Sequence, residues 1–156
     1  MNLKECEELV KLQMTKHGLL LKGWRFKWDN SFKRFGVCKY QPKVIGLSTR
    51  LVTINDKERV LDTIQHEIAH ALVGHGYGHG NVWMSMCVKI GCKPRRCYTQ
   101  NDTIIPEMRY LATCESCETV YKKVKKPREG NRRCRCQIGR SWDSCYLLNY
   151  IDTHKN

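Results

Sequence analysis

His66-Glu67-Ile68-Ala69-His70 places two imidazoles four residues apart, with a carboxylate beside the first. In a helix, residues four apart lie on the same face, so both rings can bind one metal ion. Two neutral imidazoles suit Zn²⁺, and the carboxylate can take a proton from water that the metal activates. The pattern is short enough to arise by chance, so its meaning depends on the residues around it.

The helix that carries this pattern is predicted to begin after Asn55-Asp56, which offers N-cap chemistry, and to end at Gly74. Its apolar side chains recur at helical spacing and are Val60, Ile64, Ile68, Ala71 and Leu72. His66 and His70 fall roughly opposite two of them, Val60 and Ile64. The helix can therefore bury one face in a core and present its histidines to a cleft.

The remaining pattern predicts an α+β fold in two modules. Apolar spacing indicates helices from Leu3 to about His17 and over 81–90, while residues 24–28 alternate aromatic and basic side chains as a half-buried strand does. Residues 35–40 and 44–48 are typical of a β-hairpin. Since the composition changes near residue 105, we expect helices packed on a short hairpin or sheet in residues 1–105 and a second module in residues 106–156.

The glycine-rich loop over residues 74–80 offers two histidines as a third ligand, and a catalytic zinc usually takes three protein ligands. His75 follows His70 by only five residues, where the chain must still turn at the helix end. His79 follows a stretch long enough to fold back. His79 is therefore the favoured third ligand and His75 the alternative. Tyr77, in the same loop, is a candidate to stabilise an oxyanion.

A second metal site is indicated by cysteines. Cys114-Glu115-Ser116-Cys117 is followed, after sixteen residues, by Cys134-Arg135-Cys136. Four thiolates from two short turns suit a tetrahedral structural zinc. Cys145 is the alternative to Cys136 as the fourth ligand. The other five cysteines are expected to act as small apolar side chains, with Cys92 and Cys97 as a less favoured metal pair.

The formal charge of +13 and a pI near 9.4 indicate a polyanionic partner, most often nucleic acid. Between Lys89 and Arg140, fourteen Lys or Arg residues stand against five Asp or Glu, a local balance of +9. Tyr121 and Trp142 could stack on bases, although packing within the module is favoured for both. The side chains predicted to bind DNA phosphates are Lys122, Lys123, Lys125, Lys126, Arg128, Arg132, Arg133 and Arg135.

The cellular location is predicted from what the chain lacks. No apolar run approaches the roughly 18 residues that span a bilayer, and the N-terminus has no apolar signal-peptide core. The ten cysteines then fit metal binding in a reducing compartment better than disulfides. We expect an intracellular monomer, cytoplasmic or nucleoid-associated, that is not secreted and has no membrane partner.

Two metal-dependent families are excluded by register. The metzincin pattern and the H-x3-H-x5-H pattern of rRNA-processing endoribonucleases both require a histidine where this chain has Gly76. Five stretches spaced along the first module instead resemble the SprT-like family of zinc metalloprotease domains, over roughly residues 1–98. These stretches are Phe35-Gly36-Val37-Cys38, Ile45-Gly46-Leu47-Ser48, residues 60–72, Gly78-His79-Gly80-Asn81-Val82-Trp83, and Ile90-Gly91.

The resemblance implies a small HExxH zincin-type metalloprotease domain in which His66, His70 and His79 bind a catalytic zinc and Glu67 is the catalytic residue. The family includes Spartan, a eukaryotic DNA-dependent protease that degrades proteins crosslinked to DNA. SprT-like proteins frequently carry a C-terminal zinc ribbon, which the cysteine module resembles. Two zinc ions are therefore expected, one catalytic and one structural.

The favoured function is a DNA-associated zinc endopeptidase that cleaves DNA-bound or DNA-crosslinked proteins, with Glu67 as general base. A non-catalytic nucleic-acid-binding zinc protein is one alternative. Retention of Glu67 argues against it, because a structural metal site gains nothing from that carboxylate. The other alternative is a metalloprotease for one protein partner, independent of DNA.

Overall fold

The computed structural model describes residues 1–96, 103–128, 133–139 and 146–153. The chain divides into two units, Met1–Pro106 and Glu107–Asn156. None of the helices in the described ranges has the length and apolarity of a membrane span.

The helices of the first unit begin and end where the local chemistry dictates. Among its described residues they are α1 (Leu3–Lys16), α2 (Thr49–Ile54), α3 (Lys57–Val73) and α4 (Asn81–Ile90). The Asp56 side chain caps α3 by accepting a hydrogen bond from the Arg59 backbone N–H at 2.7 Å. Gly91 ends α4 in the left-handed region, with φ 87°. The predicted helices are thus present, whereas α2 was not predicted.

A three-stranded sheet lies against these helices. Its strands β1 (Arg25–Asp29), β2 (Gly36–Lys39) and β3 (Val44–Ser48) have the spatial order β1-β3-β2. The β2–β3 pair is the predicted antiparallel hairpin, while β1 pairs in parallel with β3. One face carries Ile45 and Leu47 into the core with Val10, Met14 and Ile64, so α1 and α3 cover that face only.

The second unit contains a smaller antiparallel sheet. Its strands are β4 (Tyr110–Thr113), β5 (Val120–Lys123) and β6 (Ile151–Asp152), in the order β5-β4-β6. Ala112, Cys114, Cys134 and Leu148 form its small core. A short 3₁₀ helix, Arg135–Gln137, begins directly after Cys134 and contains Cys136. The predicted α+β fold, with a cysteine cluster near the C-terminus, is confirmed.

Candidate active site and cysteine cluster

Three histidine rings converge at one point of the first unit. His66 and His70 project from α3, and His79 comes from the glycine-rich loop, where Gly78 has φ 50° and lets the chain turn back. The Nε2 atom of His79 lies 3.2 Å from the Nε2 atoms of both His66 and His70. The structure therefore brings together the three histidines predicted as ligands.

This arrangement fits a tetrahedral metal ion. Nitrogens about 2.0–2.1 Å from a zinc ion lie about 3.3–3.4 Å apart in a tetrahedron, close to the spacing seen here. Burial, together with repulsion from His70 and His79, lowers the pKa of His66 to about 3, and burial with repulsion from His79 lowers that of His70 to about 4. Burial and the Arg96 charge also lower the pKa of His79. All three rings are thus neutral near pH 7, as metal ligands must be.

Trp83 of α4 supports all three rings. Its side chain is fully buried, and its ring centroid lies 4.7 Å from that of His66, 5.2 Å from His70 and 4.6 Å from His79. The His70 and Trp83 rings are stacked with an interplanar angle of 24°. Trp83 therefore limits the rotation of each ring. Trp83 follows His79 by four residues and lies in the first turn of the helix predicted over residues 81–90, and this short separation is a sequence signal for the contact.

Glu67 lies in the same cleft and is almost fully buried, with 7% of its surface exposed. Burial raises its pKa to about 8, although the Arg34 charge and a hydrogen bond from the Cys38 backbone N–H both act to lower it. A carboxylate with a pKa near neutrality, next to three converging imidazoles, is suited to accepting and returning a proton.

The cleft around these side chains has a volume of about 610 Å³. Strand β2 and the residues before it form one wall, with Lys33, Arg34 and Tyr40 among the lining side chains. Arg96 also lines the cleft. The size suits a segment of polypeptide, and Glu67 is the only carboxylate among the lining residues that the structure describes.

His75 and Tyr77, the other two candidate site residues of the glycine loop, lie outside the histidine cluster. The His75 ring packs edge-on against Tyr40, with centroids 5.3 Å apart, and is not part of the histidine cluster. Tyr77 is 51% exposed and is not among the residues that line the cleft. Its backbone carbonyl accepts a hydrogen bond from the Gly80 N–H at 3.0 Å, which closes the turn of residues 77–80 before α4 begins.

The second unit brings four cysteines together. Cys114, Cys117, Cys134 and Cys136 have all their Sγ atoms within 4.8 Å of one another. The Cys114–Cys136 and Cys117–Cys134 Sγ distances are 3.7 and 3.5 Å, near the roughly 3.8 Å expected of thiolates about 2.3 Å from a tetrahedral zinc. Both clusters could thus hold a metal ion, consistent with zinc. Cys145, the alternative fourth ligand, lies outside the described residues, as does Cys97.

Tyr121 packs within this unit rather than on its surface. Its hydroxyl lies 3.0 Å from the Cys134 Sγ and accepts a hydrogen bond from the Arg135 N–H at 3.2 Å. Hydrogen bonds, the largest effect being that of Tyr121 and the next that of the Cys136 N–H, lower the pKa of Cys134 to about 6, which favours the metal-binding thiolate. Trp142 lies outside the described ranges.

The side chains predicted to bind phosphate are exposed wherever the structure describes them. Lys122 and Lys123 lie on β5, where their alternation places them on opposite faces of the small sheet. Arg132 lies outside the described residues. The other exposed cations of this set are Lys125, Lys126, Arg128, Arg133 and Arg135.

The fold and the histidine cluster define an α+β domain with an HExxH helix, of the metalloprotease-like class. The SprT-like family model matches residues 4–103 of the chain. The chain is also 33% identical over 101 residues to the Protein SprT-like of Oceanobacillus iheyensis, covering 62% of this chain and 67% of that protein. The chain therefore belongs to the SprT-like family, as its motifs predicted, and this membership supports a zinc-dependent, protease-type function.

Proposed function

We propose that this protein is a zinc-dependent endopeptidase that cleaves proteins bound or crosslinked to DNA. The observation that carries the proposal is the convergence of the His66, His70 and His79 Nε2 atoms in the cleft that also holds Glu67. A cleft of this kind suits hydrolysis of a peptide bond, and the excess of positive charge suits association with DNA.

The three histidines would hold the ion in the cleft beside the C-terminal half of α3. When bound, zinc supplies a Lewis acid and lowers the pKa of a water molecule to about 7. Glu67 would accept a proton from the attacking water and deliver it to the amine that leaves when the C–N bond breaks. Its pKa, raised by burial, would fall beside a dication, so that the carboxylate is ionised when it acts as base.

The cysteine unit would hold a second, structural zinc, and its exposed cations would bind DNA phosphates without regard to sequence. Protein substrates on the same DNA would then be concentrated near a monomeric protease. Recruitment, rather than recognition of one peptide sequence, would determine which proteins are cleaved.

The decisive experiment compares wild type with Glu67→Gln on a basic protein crosslinked to a DNA duplex and on the same protein without DNA. We expect wild type to cleave only the crosslinked substrate, and the variant to lose about 10²–10⁴-fold in rate while retaining its zinc. Equal cleavage by the variant would eliminate the enzymatic function and favour a binding protein. Equal cleavage of both substrates by wild type would favour a protease that acts independently of DNA.

Zinc content tests the ligand assignment separately. We expect two zinc ions per chain, with one lost in His79→Ala and none in the matched variant His75→Ala. Loss of the ion in His75→Ala, with retention in His79→Ala, would reverse the assignment of the third ligand.

A further inference from the structure

The positive charge of this protein is not confined to the cysteine unit. The first unit, residues 1–106, has seventeen Lys or Arg against nine Asp or Glu, a net charge of +8. The second unit, residues 107–156, has eleven against six, a net charge of +5. The phosphate-binding side chains predicted in the second unit therefore leave most of the excess charge without a role.

A group of these cations covers the solvent face of the three-stranded sheet. Arg25 and Lys39 pair with Val44 from opposite sides, so the three lie in one row on one face of the sheet. Lys27 lies on the same face, two residues from Arg25 and about 6.6 Å along the strand. Lys43 directly precedes Val44, and its carbonyl accepts a hydrogen bond from the Arg25 N–H at 2.9 Å, so it lies at the end of this row. Its Nζ donates to the Lys22 carbonyl at 3.0 Å, which brings Lys22 to the same end. We call these five exposed cations, Lys22, Arg25, Lys27, Lys39 and Lys43, the basic sheet face.

Within the part of the chain that the structure describes, no ion pair neutralises the basic sheet face, because no carboxylate pairs with any of its five cations. Asp29 is the carboxylate on this face, and Arg34 binds it at 2.9 Å. Exposed cations that repel one another favour a partner with closely spaced negative charges.

The sheet presents its aromatic side chains to the other face. Phe26 and Trp28 alternate with the cations of β1 and pack against the core, as Trp24 does just before the strand. On this face β3 carries Val44, Gly46 and Ser48, which are buried, and β2 carries Val37, so the exposed side chains of the face are mainly the flanking cations. A surface that binds single strands would need aromatic rings on which bases stack, and the described strands β1, β2 and β3 carry none on this face. Cations alone instead suit the phosphate backbone of a duplex.

We propose that the basic sheet face is a second DNA-binding surface, located on the unit that carries the histidine cluster, and that it binds the phosphate backbone of duplex DNA without sequence preference. The inference rests on the DNA association in the proposed function and adds a site to it. It assigns DNA contact to both units of the chain.

The test measures the salt dependence of binding to a 20-bp duplex by the full-length protein. The variant Arg25→Gln/Lys27→Gln/Lys39→Gln/Lys43→Gln removes four charges from the basic sheet face. The matched control, Lys4→Gln/Lys16→Gln/Lys57→Gln/Lys89→Gln, removes four exposed charges from helices of the same unit. Each lost phosphate contact reduces the magnitude of the slope of log K against log salt by about 0.9. We therefore expect the magnitude of the slope to fall by about 3 to 4 in the sheet variant and to change little in the control.

Two further variants keep the test decisive if the fourfold variant folds poorly. Lys27→Gln alone should reduce the magnitude of the slope by about 0.9, and Arg25→Lys/Lys27→Arg/Lys39→Arg should leave it unchanged because the charges remain. Lysines on edge strands also discourage aggregation by strand pairing. If that were their only role, the fourfold variant would aggregate but keep the wild-type salt slope in its monomeric fraction, which would overturn the proposal.

Failure of the inference can be distinguished from failure of the proposed function. If wild type binds the duplex and the sheet variant has the same slope as its control, only the second surface is refuted. If wild type does not bind the duplex at all, both the second surface and the DNA association in the proposed function are refuted. Neither outcome depends on proteolysis, so the role of Glu67 is tested independently.

Discussion

A β-carbon at Gly36 would lie 2.7 Å from the Oε1 and Cγ atoms of Glu67. It would also lie 2.9 Å from the Cγ2 atom of Thr63, one turn earlier on α3. Strand β2 therefore approaches α3 closely enough that the absence of a side chain at residue 36 determines where the carboxylate lies. The Cys38 N–H, on the same strand, hydrogen-bonds Glu67 and holds it there.

Gly36→Ala should displace Glu67 and lower proteolytic activity about 10²-fold, as misplacement of a catalytic group by about 1 Å does. Zinc content should stay at the wild-type level, because the three atoms nearest to the new methyl group belong to Glu67 and Thr63 and not to a histidine. The control is Gly46→Ala, whose β-carbon would meet the Val37 Cγ1 atom at 2.9 Å on the opposite face of the sheet. Equal activity losses in the two variants would show a general effect on the sheet rather than on Glu67.

Trp83→Leu should weaken zinc binding in the histidine cluster about 10–100-fold, because residues that orient ligands commonly contribute that much to affinity. Trp83→Phe should retain most of the affinity, since a ring still packs against the histidines. Zinc affinity is measured by competition with a chromogenic chelator. Cys87→Ala, one turn further along the buried face of α4, controls for loss of packing in the same core. A Trp83→Leu variant with wild-type zinc affinity would contradict the supporting role of this ring.

Cys136→Ala should remove one zinc ion per chain and unfold the cysteine unit, because small metal-bound units fold only with their metal. The measurements are zinc content and limited proteolysis of residues 107–156. Cys145→Ala is the matched comparison and should retain both zinc ions. If Cys145→Ala loses the ion and Cys136→Ala keeps it, the fourth ligand is Cys145.

The free energy of unfolding of the metal-free protein should fall as the pH rises from 6.5 to 8, because Glu67 loses its proton in this range. The pKa of Glu67 is about 8 in the folded state against an ordinary 4.5, so folding favours its protonated form, and this stabilisation is lost as the pH rises. The slope is at most about 1.4 kcal/mol per pH unit. Urea denaturation in the presence of a chelator should show this decline in wild type and not in Glu67→Gln.

The same experiment below pH 6.5 should report on the histidines. The pKa values of His66 and His70 are about 3 and 4 in the folded state against an ordinary 6.5. Their contribution to stability is therefore complete above pH 6.5 and is lost as the pH falls, in wild type and Glu67→Gln alike. If the free energy of unfolding of wild type depends on pH between 6.5 and 8 in the same way as that of Glu67→Gln, burial does not hold Glu67 protonated.

The parts of the fold that depend on nearby residues could be predicted from the sequence. The spacing of His66 and His70 places both on one face of any helix, and Asp56 and Gly91 mark helix ends through their own side-chain and backbone chemistry. The β2–β3 hairpin is likewise local. Helix α2 was missed because Thr49, Val52, Thr53 and Ile54 are β-branched, and because Leu51 and Val52 acquire their burial only from the folded core.

Only the tertiary structure decided how distant elements meet. It placed β1 in parallel beside β3, although the two are separated in the chain by β2. It also placed Trp83 against the three histidines, and Gly36 against Glu67. Periodicity assigns a residue to a face of its own element but carries no information about the distance between elements, which packing sets. The sequence therefore determined which side chains could bind a metal and move a proton, and packing determined the positions from which they can do so.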